Sequence, residues 1–171
     1  MKLLANLWIA LVWIFVHSCA PVGVAEKGAP PQPAPRHNPL LYGFNEPIRF
    51  GDLREGDITE ATGRALAGAR SILDEIIAAG SDGRTFENTM VRLDDIRNVI
   101  EKTWSPAYLM GSTHPSAAIR LEGDSASIRF ERFLNDLAAN EDLYNAVLVY
   151  SRTQEGQSLT GYRKKFLEET L

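Results

Sequence analysis

Between Ile58 and Ile77 the apolar residues fall at three- and four-residue steps: Ile58, Ala61, Ala65, Leu66, Ala69, Ile72, Leu73, Ile76 and Ile77. That spacing lays a single stripe along an α-helix and is incompatible with a strand, whose faces alternate every residue. The same period returns in Phe86, Met90, Leu93, Ile96, Ile100 and Trp104, and again in Ile119, Ala126, Phe130, Phe133, Leu134 and Leu137. It returns twice more, in Leu143, Tyr144, Val147, Leu148 and Tyr150 and in Tyr162, Phe166 and Leu167. No alternating run of strand length competes, and no repeat of 20 to 50 residues is present. The pattern predicts an all-α domain, an antiparallel bundle of about five helices joined by short connections.

The boundaries follow from capping chemistry. Asp57 is the expected N-cap of the first helix, with Glu60 placed to reach back as a capping box, and Gly80 stands at the C′ position. Thr85 is the expected N-cap of the second helix, which Pro106 should end or kink. Ser112-Thr113-His114-Pro115 opens the third, Gly123 weakens it locally, Asn140 caps the fourth and Thr160 the fifth. Tyr162, Phe166 and Leu171 continue a helical face with no stop signal after it, which predicts a frayed last turn or a missing partner.

Ahead of the helices lie two segments of different character. In residues 1–25, Lys2 precedes an almost unbroken apolar run from Leu3 to Val16, shorter than the roughly 20 residues that span a bilayer. This reads as an export signal. Cleavage before Cys19 would follow the lipobox-like Val16-His17-Ser18-Cys19 and make Cys19 a lipidated anchor. Cleavage after Ala25 would discard it. Either way the chain is exported, to a bacterial periplasm or as a membrane-anchored lipoprotein, and touches the membrane only through the signal or the lipid. Residues 26–39 form a Pro-rich tether, including Pro30-Pro31-Gln32-Pro33-Ala34-Pro35. The helical domain spans 40–171, opening with an apolar arm of Leu40, Leu41, Phe44, Ile48 and Phe50.

Composition narrows the chemistry. Cys19 is the only cysteine of the 171 residues, so a mature domain has no disulfide and no Cys-based zinc or catalytic site. The net charge of -4 provides no basic surplus for phosphates, so nucleic acid is disfavoured as a partner. Histidine occurs only at 17, 37 and 114. No two stand four apart on a helix, so no one helix face places two imidazoles on one zinc, and His114 beside Pro115 suits a turn. No Gly-x-Ser-x-Gly elbow supports a serine nucleophile.

Four short segments occur in order: Asn38-Pro39-Leu40-Leu41, the Ala-rich helix of Ile58 to Ala79, Thr85-Phe86-Glu87-Asn88-Thr89, and Asn140-Glu141-Asp142-Leu143-Tyr144. In this order they resemble the N-terminal region of the thimet-oligopeptidase family of zinc metallopeptidases, which includes oligopeptidase A and the dipeptidyl carboxypeptidases. The resemblance runs from Asn38 to Leu171. It implies a non-catalytic helical wall of a channel that admits short peptides. In the whole enzymes of that family, zinc is held downstream by a His-Glu-x-x-His helix and a further Glu. That motif is absent here, which implies no catalytic or metal residues in this chain, no zinc of its own, and an inactive front part of a truncated or split enzyme whose catalytic half is its partner. Thr85, Phe86, Glu87, Asn88 and Thr89 are expected to be structural, with Asn88 and Thr89 bonding a neighbouring helix or the arm. Trp104, Tyr108, Tyr144 and Tyr150 are expected in the core, with a peptide groove as the other reading. The alternative for the whole chain is a free-standing, anchored module that binds peptides or a protein.

Overall fold

The computed structural model describes residues 36–43 and 45–171. The signal segment, Cys19, His17 and most of the tether lie outside the described residues, as does Phe44.

The domain is all-α, and no strand occurs among the described residues. Its six helices are α1 (Asp57–Ala78), α2 (Arg92–Thr113), α3 (Ala117–Ala138), α4 (Glu141–Ser151), α5 (Gln154–Ser158) and α6 (Gly161–Thr170). The first three have 22 residues each, about 33 Å of helix. They pack on one another as the centre of the domain, and α4 leans on α1 and carries α6. Contacts of Gly68 with Val99 and Arg92 with Glu75 run α1 against α2 antiparallel. Contacts of Trp104 with Ser127 and Gly111 with Gly123 do the same for α2 and α3.

The stripes read from the sequence form this core. Ile58, Ala61, Leu66, Ala69, Ile76, Met90, Ile96, Ile100, Phe130, Val147 and Tyr150 are buried in one cluster. Tyr144 and Tyr162 leave the stripe and are exposed. Five helices were expected; the additional one, α5, is a single short turn of helix capped by Thr153 Oγ1, which accepts from Gly156 N–H at 3.0 Å.

Several boundaries differ from the capping expectation. The N-cap of α1 is Gly56, at φ 93, where a side chain would be strained. Asp57 is the first helical residue, buried, and its carboxylate accepts from Arg54 N–H at 2.8 Å and from both guanidinium nitrogens of Arg36 at 2.8 and 2.5 Å. Hydrogen bonding to Asp57 holds the Arg36 pKa above its ordinary value against the opposing desolvation, and the Asp57 and Glu60 charges add to the rise. Glu60 closes no capping box; it accepts from Asn38 and Arg64. Gly80 stands where expected but is extended, and Arg84 caps α1 instead, donating to Ile76 O at 2.9 Å.

Pro106 neither ends nor kinks α2 into two elements; it is buried within it. Proline cannot donate to the carbonyl four residues back, which belongs to Lys102. Tyr42 of the arm fills that role, its phenol donating to Lys102 O at 2.9 Å. The Lys102 ammonium lies 4.8 Å over the same ring. The helix survives because the arm supplies the missing donor. Ser112 and Thr113 accordingly belong to α2, and α3 starts at Ala117. His114 is a turn residue whose Nδ1 accepts from Ser116 N–H at 3.1 Å.

The last four residues of the expected tether, 36–39, are described together with the helical domain. Asn38 is buried, donating to Asp57 O at 2.8 Å and accepting from Leu40 N–H at 2.9 Å. These bonds clamp the arm on the start of α1 and bury Leu40. Thr160 is the N-cap residue of α6, without a side-chain capping bond.

Candidate functional site

The Thr85–Thr89 signature is the joint between α1 and α2. Thr85 Oγ1 accepts from Asn88 N–H at 3.2 Å and Asn88 Oδ1 accepts from Thr85 N–H at 2.9 Å. This is a capping box with asparagine in the glutamate's place. Asn88 also donates to Gly83 O at 2.8 Å, and Thr89 Oγ1 donates to Asn88 Oδ1 at 3.0 Å. The expected bonds from Asn88 and Thr89 to another helix are thus absent, because the tight entry turn uses these groups locally. Glu87–Val91 form one wide π turn before α2 becomes regular. That turn buries the adjacent Thr89 and Met90 together with Phe86.

The joint is tied to the C-terminal helices through Phe86. Its N–H donates to Glu155 of α5 at 3.0 Å, its ring meets Tyr150 edge-on at 6.4 Å, and the Arg163 guanidinium lies 4.7 Å over its face. Tyr150 is a core residue, fully buried, and its hydroxyl has no hydrogen-bond partner. Burial, with Glu155 adding and Arg163 opposing, raises the Tyr150 pKa. Of the signature residues, only Thr85 and Glu87 are exposed.

Beside this joint, the first turns of α2, the last turns of α3, and α4 and α6 leave a cleft of about 570 Å³. Its floor is Leu93, Leu134, Leu137, Leu143, Val147 and Phe166, and its rim includes Asp94, Arg97, Asn140, Tyr144 and Glu169. A cleft of this size, apolar with a few polar groups, has the character of a small-ligand site. Asn140 caps α4, accepting from Leu143 N–H at 2.8 Å, and so fixes the turn that presents Leu143 and Tyr144. Tyr144 is 49% exposed. Arg97 makes no ion pair or side-chain hydrogen bond among the described residues, and Asp94 accepts from Asn98 at 3.1 Å. Glu169 is paired with Lys165 at 3.6 Å. Arg97 can take a carboxylate, and Asp94 an ammonium, above an apolar floor.

The four aromatics divide. Tyr150 is core, and Trp104 is half-buried, stacked on Phe130 at 5.8 Å. Tyr108 and Tyr144 are exposed and line two different concavities. Arg97, Asp94 and Glu169 carry no sequence signal, since each reads as an ordinary solvated helix position. Zinc, implied for whole enzymes by the resemblance, has no ligand set here: among the described residues no three His, Cys, Asp or Glu side chains converge.

No protein-family model matches the chain, and no curated protein sequence matches it.

Proposed function

We propose that residues 36–171 are the non-catalytic, peptide-contacting helical part of an exported zinc oligopeptidase of the thimet-oligopeptidase type, inactive alone, with the zinc chemistry carried by other residues than these. One observation carries the reading. The Asn140-x-x-Leu143-Tyr144 segment, one of the four that prompt the resemblance, contributes Asn140, Leu143 and Tyr144 to the wall of the open cleft. An apolar floor with both signs of charge on its rim matches a short peptide, which carries apolar side chains between an ammonium and a carboxylate. In this reading the Thr85–Thr89 joint sets the angle between α1 and α2 and holds the α2 wall of the cleft. The tether and signal deliver the domain outside the cytoplasm, anchored through Cys19 if that residue is lipidated.

Calorimetric titration of the purified chain with short unblocked peptides tests the proposal. Binding should weaken about five-fold, roughly 1 kcal/mol, in Tyr144→Ala and in Arg97→Ala. Absence of binding to any of a varied peptide pool refutes it. Peptide hydrolysis by the chain with added zinc overturns the claim that it is inactive alone. A neighbouring reading frame encoding His-Glu-x-x-His is the partner that the split-enzyme form requires, and its absence removes that form. The free-standing, anchored peptide- or protein-binding module draws on the same cleft together with the self-contained core of residues 36–171. A monomer that binds peptides and no apolar-surface dye favours the module. Dye binding or self-association favours a wall that lacks its counterpart.

A further inference from the structure

A second concavity lies along the α2–α3 hairpin, away from the cleft. Trp104, Ser105, Tyr108 and Ser127 line a groove of about 260 Å³ with Glu101 and Glu131 at its edges. The indole N–H of Trp104 donates to Ser127 Oγ at 3.1 Å, and Phe130 stacks on the ring, so its position is fixed. Tyr108 is 63% exposed. The register that pairs Trp104 with Ser127 sets Glu101 of α2 level with Glu131 of α3. Asp124 follows on the same side, close to Gly111.

None of these three carboxylates forms an ion pair among the described residues. Glu101 accepts only from Ser105 Oγ, at 3.2 Å. Lys102, its sequence neighbour, is turned to the arm over Tyr42. Arg132, beside Glu131, forms no ion pair with it. Like charges facing each other across a groove repel, and a cation placed between them relieves that repulsion. The aromatic lining distinguishes this groove from an ordinary acidic helix face, because it attracts a cation through the ring quadrupoles. A guanidinium suits both features: it is flat, weakly hydrated, stacks on rings and donates to carboxylates on its edges.

We infer that this groove binds an arginine side chain of a peptide. The inference deepens the peptide-binding reading by naming a side-chain class, and it rests on that reading only for the nature of the ligand. The site itself is separate from the α2–α3–α4–α6 cleft.

The test is titration of the purified chain with N-acetyl-arginine amide and with its neutral isostere N-acetyl-citrulline amide. Calorimetry reads the affinity, and the Trp104 indole N–H resonance, assigned through Trp104→Phe, reads the place. Arginine should shift the Trp104 signal, and citrulline should bind about ten-fold more weakly. Glu101→Gln and Glu131→Gln, both at exposed positions, should each weaken arginine binding about three- to five-fold, and added salt should weaken it further. Tyr144→Ala should leave it unchanged. Equal binding of citrulline, indifference to both glutamine variants, or a Trp104 resonance that does not move overturns the inference. Arginine binding that depends on Tyr144 places the ligand in the other cleft and also overturns it, while the peptide reading stands. Retained arginine binding with no Tyr144-dependent peptide binding refutes the cleft alone.

Discussion

Gly123 offers the sharpest test of how α2 and α3 meet. A Cβ added there would lie 2.6 Å from Ala107 O and 2.6 Å from Gly111 Cα and N, all backbone atoms of a facing helix. No side chain can rotate away, so the helices must separate. Gly→Ala in a helix interior gains about 1 kcal/mol of propensity. Overpacking of this kind costs about 3 kcal/mol, the upper end of its range, because both partners are rigid. The net expectation is a loss of about 2 kcal/mol, a fall in Tm of about 6–10 °C for a domain of this size. Two other glycines in helices calibrate the comparison. A Cβ at Gly63 meets nothing within 4 Å, so Gly63→Ala should stabilise by about 0.5–1 kcal/mol. At Gly111 the nearest atoms are 3.3 Å away, so Gly111→Ala should be close to neutral. Urea denaturation of the three variants, followed by circular dichroism, gives the order. Stabilisation of Gly123→Ala to the level of Gly63→Ala refutes the close contact and the register built on it.

Other outcomes follow from single bonds. Tyr42→Phe keeps the ring over Lys102 and removes the donor to its carbonyl, costing about 1 kcal/mol; in a Pro106→Ala background, where the helix recovers its own N–H, a double-mutant cycle should show most of that cost gone. Asn38→Ala should cost about 2 kcal/mol in denaturation and speed amide exchange at Leu40, whose N–H loses its acceptor. Tyr150→Phe removes a buried hydroxyl without a partner and should stabilise by about 1 kcal/mol at neutral pH. The Tyr150 pKa is raised in the folded state, so its contribution is complete below the unfolded value near 10 and is lost as pH rises through the folded value. The variant should therefore unfold less steeply on alkaline titration than the parent, and identical alkaline limbs would refute the burial argument.

Much of the architecture is legible before folding. Helical period, Thr85 and Asn140 as caps, and the turn role of His114 are properties of a few adjacent residues, and the structure keeps all of them. Where local reasoning departs from the fold, a contact that the helical pattern does not record intervenes. Pro106 sits inside α2 because Tyr42, sixty residues before Lys102, satisfies its carbonyl. Gly80 does not cap α1 because Arg84 reaches back to Ile76 O. Gly123 is less a weak point of α3 than the place where two backbones touch. The candidate sites were the least legible part. Arg97, Asp94 and Glu169, or Glu101 and Glu131, look like solvated charges until two helices place them on one concavity.

By itself, the sequence determined the all-α class, the longer helical segments, most of their starts and most of the apolar face of each, because periodicity and capping act over one or two turns. Only the tertiary structure decided which faces remain open and which charges share them. Helix pairing brings together residues tens of positions apart, and no local pattern records the register at which α2 meets α3 or the gap that α4 and α6 leave beside them.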